Sequence, residues 1–297
     1  MPGYIEVSID LSFLNLTLEY LMKPTSELIE EISQHEAAKK THSHAERALN
    51  TEDPLFAFWK NILERDSTQS PLIMKRIRRS LDYINSNRLT MAESLIEVSE
   101  YLPDDLNLSC KLYGMIGYDI GIVSEGDAFL NLAHPHFADE PRELTYFAMH
   151  EVHHVGYSSY HPLPWLSDVK TTNDLLWLVH YATHLEGMAV YTPLRRRSRD
   201  GCMSHEDYQV LKSPKETETR LKKYFGYLEK LKSEESRPLT DSDFDIIEEM
   251  SGRNQRLWYI TGAYMAKTID AKLSRQALTD TISKGHDYFF RLYSELS

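Results

Sequence analysis

His150-Glu151-Val152-His153-His154 is the stretch that decides how this chain reads. It fits H-E-x-x-H, with the outer histidines four positions apart. On a helix such positions lie on one face, one turn apart. Two imidazoles there can reach a single tetrahedral zinc, with Zn–N bonds of roughly 2.0–2.1 Å. Glu151 would sit beside the metal, placed to take a proton from the water the metal activates. The flanks support a helix. Asp139-Glu140-Pro141 is an acidic cap followed by a first-turn proline. Leu144, Phe147, Ala148, Glu151 and Val155 follow at helical spacing, and Gly156 reads as a stop.

A third ligand lies downstream. The chain from about Asn173 to Tyr191 reads as a second helix, with Val179, Ala182, Glu186, Ala189 and Val190 on one face. Glu186 is an acid on that otherwise apolar face, and buried acids are nearly always paired or metal-bound. Gly187 beside it permits close approach of another backbone. His150, His154 and Glu186 thus make a candidate His₂Glu zinc set with one position left for water. Further on, Tyr259, Gly262, Ala263 and Ala266 share a helical face. The small residues allow close packing, and Tyr259 is a candidate donor to an oxyanion.

H-E-x-x-H followed by Glu186-Gly187-Met188-Ala189 resembles the gluzincin group of zinc peptidases, and most of all the small zinc-dependent proteases of bacteria and archaea. The resemblance covers roughly residues 110–193. It implies a zincin-like two-helix metal core, His150 and His154 as ligands, Glu151 as general base and Glu186 as third ligand. The chain departs from thermolysin-like members at Val190, where they carry aspartate. It departs from aminopeptidase-like members at Leu185, where they carry asparagine.

Other histidines compete for attention. His180 and His184 are also four apart, on a different face of the second helix, but no third ligand accompanies them. They read as satisfied or surface residues. His134 and His136, around Pro135, suggest loop capping. His35, His42 and His44 lie in a polar stretch and read as solvated, and His153 as structural. Arg195-Arg196-Arg197 with Arg199 reads as a cap on the preceding helix's negative end or as solvated, with a substrate carboxylate as the sharper alternative.

The 297 residues can bury a large core, and the formal charge of −12 argues against nucleic acid as a partner. Cys110 and Cys202 make no disulfide framework. With no leader pattern and no apolar run near the ~18 residues of a membrane span, the expectation is a cytoplasmic protein without membrane contact.

The remaining pattern predicts a mainly α (α+β) fold, with helical segments flanking a small sheet. Residues 4–9 read as a strand. Helices are expected over 11–21, 26–48, 55–65 and 72–84, and from a Thr90/Glu93 capping box to Tyr101. Leu112–Val123 and Ala128–Ala133 read as a hairpin or small sheet. An amphipathic stretch from Ser204 to Leu231 breaks at Ser213-Pro214, and 234–242 reads as a polar linker. The expected division is an N-terminal helical region (1–107), a catalytic core (108–200) and a C-terminal helical region (201–297), possible also as one compact domain. The function this predicts is zinc-dependent hydrolysis of a peptide or protein substrate. A non-peptide amide or ester hydrolase and a helical interaction protein with a structural metal are the alternatives.

Overall fold

The computed structural model of the chain describes residues 4–233 and 235–296. These are mostly helical with a small mixed sheet, the mainly α (α+β) class the pattern predicts. The backbone clusters into two compact units. One is residues 4–97 with Asn107–Val155; the other is Val98–Leu106 with residues 156–233 and 235–296.

The first unit holds the sheet. Strands β1 (Ile5–Asp10), β2 (Leu108–Met115), β3 (Gly121–Ser124) and β4 (Asp127–Asn131) lie in the order β1-β2-β4-β3. The β1–β2 and β2–β4 pairs are parallel, and β3–β4 is antiparallel. The expected hairpin therefore forms between β3 and β4. Its turn residues, Glu125 (φ 48°) and Gly126 (φ 79°), both take positive φ, the signature of a tight type I′ turn. The stretch 112–123 is not one strand. At Gly117 (φ 74°) the chain bends, and a Cβ there would lie 2.3 Å from Ile62.

Helices pack around this sheet. Phe13 meets the ring of Trp59 edge-on at 5.0 Å, and the Trp59 indole N–H donates to the Ala38 carbonyl at 3.1 Å. The predicted single helix over 26–48 is two, Ser26–Gln34 and Glu36–Leu49. His35 breaks it in extended conformation, and its ring nitrogen accepts the Ala37 N–H at 3.1 Å as an N-cap. His42 packs edge-on against Phe58. His44 is half-buried with Nδ1 3.1 Å from the Tyr118 hydroxyl, and burial pushes its pKa down to about 4. None of the three is simply solvated: helical packing gives each a specific neighbour. Thr90 lies inside the helix Arg88–Glu97 rather than capping it.

The second unit is built on two crossing helices, Thr172–Tyr191 and Leu257–Lys272. Thr171 and Asp174 form a capping box that starts the first of them. A Cβ on Gly187 would lie 2.3 Å from the Gly262 backbone, so the two helices touch main chain to main chain. Leu175, Val179, Tyr224, Leu228, Ile246 and Met250 form the core beside this crossing. The predicted break at Ser213-Pro214 separates the helices Glu206–Lys212 and Pro214–Ser233. Of the expected linker, Glu234 lies outside the described residues. The part that follows is tied down. Thr172 N–H donates to the Arg237 carbonyl at 2.9 Å, and Arg237 forks onto the Asp243 carboxylate. Among the described residues no helix is long and apolar enough to cross a membrane.

Candidate metal centre

The H-E-x-x-H segment lies in the helix Glu143–Ser158. Glu143 stands in its first turn, where a carboxylate suits the positive end of the helix. The predicted stop at Gly156 is internal. A Cβ there would lie 2.5 Å from Leu102, so the glycine serves close packing and the helix runs on to Ser158. Leu144, Ala148, Met149, Val152, His153 and Val155 are buried, giving the site its dry surround.

Within that helix His150 is half-buried and His154 buried. Their ring centroids are 4.5 Å apart and the rings nearly perpendicular, at 89°. Glu151 is 5% exposed. Its carboxylate lies against the backbone of β3: a Cβ on Gly121 would come 2.4 Å from Glu151 Oε1. Only a glycine leaves room for the carboxylate there. Sequence reasoning did not single out Gly121, although glycine inside a strand is the usual mark of such close approach.

Glu186 joins the two histidines. One ligand atom from each of His150, His154 and Glu186 can be chosen so that all lie within 4.8 Å of one another. Tetrahedral ligands at 2.0–2.1 Å stand roughly 3.4 Å apart, so small side-chain adjustments would bring this set onto a zinc ion. Two imidazoles and one carboxylate are also the donor chemistry zinc favours.

Tyr259 sits one turn before the Gly187–Gly262 contact, on the neighbouring helix. Burial first, and the Glu186 carboxylate second, hold its phenol well above the usual range, so it carries its proton at neutral pH. The Arg256 guanidinium lies 3.8 Å over the Tyr259 ring. Arg256 in turn forks onto the buried Asp207 carboxylate, with contacts of 2.5 and 2.9 Å. Neither Arg256 nor Asp207 carries a motif, and no local pattern marks this bracket. Arg256 takes φ 49°, a left-handed conformation uncommon outside glycine.

The competing histidines have other work. His184 is fully buried, with Nδ1 3.0 Å from the Tyr157 hydroxyl and Nε2 3.0 Å from the Thr281 hydroxyl. His180 packs on the Phe290 ring at 4.3 Å. His134 caps the short helix Pro135–Asp139 by accepting the His136 N–H, and His136 faces the Glu143 carboxylate at 3.5 Å. The arginine run lies just beyond the end of the preceding helix at Tyr191. It forms its own helix, Leu194–Asp200, in which Arg195 pairs with Glu100, Arg196 with Asp200, and Arg197 lies buried over the Tyr208 ring. Neither Cys110 nor Cys202 is in a disulfide, and burial pushes Cys110 up to about 12.

No curated protein and no solved structure matches this sequence. A family model does match, over residues 28–297, nearly the whole chain. The chain belongs to the family described as "putative zinc dependent peptidase (DUF5700)".

Proposed function

We propose that this protein is a gluzincin-like zinc metallopeptidase, with residues 108–200 as its catalytic core. The observation that carries the reading is that ligand atoms of His150, His154 and Glu186 can lie within 4.8 Å of one another, while Glu151, next to His150 in the chain, is a carboxylate outside that set. A structural metal has no use for such a base. Zinc, when bound, polarises the scissile carbonyl and acidifies water. Glu151 accepts the proton of the attacking water on its carboxylate and returns it to the leaving amine. The Tyr259 phenol, protonated at neutral pH, donates to the developing oxyanion.

A peptide fits better than an ester or an isolated amide because of β3. It is the edge strand of the sheet, and its partner is β4. Asn131 N–H donates to the Ile120 carbonyl. Alternation along the strand then turns the N–H and C=O of Gly121 away from β4. An extended backbone adding there would run past the Glu151 carboxylate.

The test is Glu151→Gln in zinc-loaded protein, assayed against a peptide library. Zinc content and melting temperature should match wild type while turnover falls by at least ~10²-fold. Unchanged turnover would remove Glu151 from the mechanism. Wild-type hydrolysis of esters or non-peptide amides, but of no peptide, would overturn the substrate assignment.

A further inference from the structure

The second unit contains a 1180 Å³ groove whose lining differs in charge from the rest of the chain. Five cationic side chains line it, Arg195, Arg199, Lys212, Lys267 and Arg275, against two acids, Glu218 and Asp270. The protein as a whole carries −12. Between the charges run tyrosines and leucines, among them Tyr264, Leu211 and Leu221. The volume exceeds the ~300–1,000 Å³ of a small-molecule pocket, which suits an extended occupant.

Four of the five cations fall into two sets. Arg195 is fixed on Glu100, at 2.9 Å. Arg275 is fixed on Asp270, at 2.6 Å, and lies over the Tyr101 ring. Tyr191 also donates to Asp270, at 2.5 Å, so this wall is built and rigid. Lys212 and Lys267 are exposed, and among the described residues no acid pairs with either. They stand on two helices that pack on each other, Glu206–Lys212 and Leu257–Lys272, and both line the groove. Phosphate recognition favours converging guanidinium forks, and the forks of Arg195 and Arg275 are closed on carboxylates. Unpaired ammonium groups beside an apolar floor instead match a chain that carries both carboxylates and apolar side chains.

We infer that this groove binds an acidic peptide segment, rich in Asp and Glu with apolar residues between them. The choice of a peptide as occupant rests on the peptidase reading; the binding does not require hydrolysis. The groove also lies close to the proposed machinery along the chain. Tyr191 follows Glu186, and Tyr264 follows Tyr259, by five residues each, about 7.5 Å along a helix axis.

The test measures binding, not cleavage. A fluorescein-labelled octapeptide alternating Glu with Leu is titrated into full-length Glu151→Gln protein by anisotropy. It should bind at least ~10-fold more tightly than its Gln-for-Glu counterpart, and weaken steeply between 50 and 300 mM salt, conditions chosen around the ~8–10 Å screening length. Lys212→Glu with Lys267→Glu should cost at least ~10-fold in affinity with the melting temperature and zinc content unchanged. If that pair melts lower than wild type, Lys212→Gln with Lys267→Gln takes its place and should weaken binding in the same direction. Equal binding of the neutral peptide, or undiminished binding by the charge variants, overturns the proposal. So does stronger competition by inorganic polyphosphate than by the unlabelled acidic peptide. Any of these failures leaves the hydrolysis test of Glu151 untouched.

Discussion

Two histidine pairs stand at the same helical spacing in this protein and have different fates. His150 and His154 meet at nearly perpendicular rings, with Glu186 among their neighbours. His180 and His184 share that spacing on the helix Thr172–Tyr191, but His184 spends both ring nitrogens on the hydroxyls of Tyr157 and Thr281. His180 lies on Phe290, and the Phe289 ring stacks on His184 at 4.4 Å. Spacing alone therefore does not make a metal site. What separates the pairs is the company each keeps: an acid among the neighbours in one case, hydroxyls and phenyl rings in the other.

Substitutions that exchange this company should show the difference. The largest effect is expected at Glu186. Glu186→Gln keeps the volume but removes the ligand charge, and should weaken zinc affinity by at least ~10²-fold, since even groups outside the ligand set can cost 10–100-fold. Competition with a chelator measures it. Affinity unchanged within a factor of three would exclude Glu186 as a ligand.

His184→Ala should act on stability and leave the metal alone. It strands the buried Tyr157 hydroxyl, takes one of two partners from the Thr281 hydroxyl, which still donates to the Leu278 carbonyl, and opens a void beside Phe289, together worth about 2–4 kcal/mol. A lower urea midpoint with one zinc per chain retained is the expected result. Loss of zinc from a folded His184→Ala protein would mean that the second pair is also a ligand set.

The smallest effect concerns pH. Burial pushes His180, like His44, down to about 4 from an ordinary value near 6.5. Below pH 6.5 the unfolded chain takes up protons that these rings in the folded protein do not. Stability should hold above about 6.5 and decline as the pH falls toward about 4. His180→Phe, which cannot titrate and stays beside Phe290, should flatten part of that decline. An identical pH profile for the variant would show that His180 titrates normally.

Much of this was legible in the sequence because the informative residues stand in periodic elements. H-E-x-x-H, the Thr172–Tyr191 helix, the Glu186-Gly187 pair and the small-residue face at Gly262 all follow from local spacing. The β3–β4 turn was likewise announced by Gly126. What the sequence hid depends on contacts distant along the chain. His35 interrupts a helix because its ring caps the next one, a choice its polar surroundings do not reveal. Gly156 looks like a terminator but is small to admit Leu102. Gly121 makes room for Glu151 from 30 positions away, and the Asp207–Arg256–Tyr259 bracket joins residues about 50 apart. The parallel partnership of β1 with β2, separated by some 100 residues, has no local signal at all.

The expectation is that the first histidine pair holds zinc and the second does not. Its most direct test is elemental analysis of zinc per chain, after dialysis without chelators, in three folded proteins: wild type, His150→Ala with His154→Ala, and His180→Ala. About one zinc is expected in wild type and in His180→Ala, and none in the double variant. Wild-type protein that takes up no zinc, or a double variant that keeps it, would exclude His150 and His154 as zinc ligands.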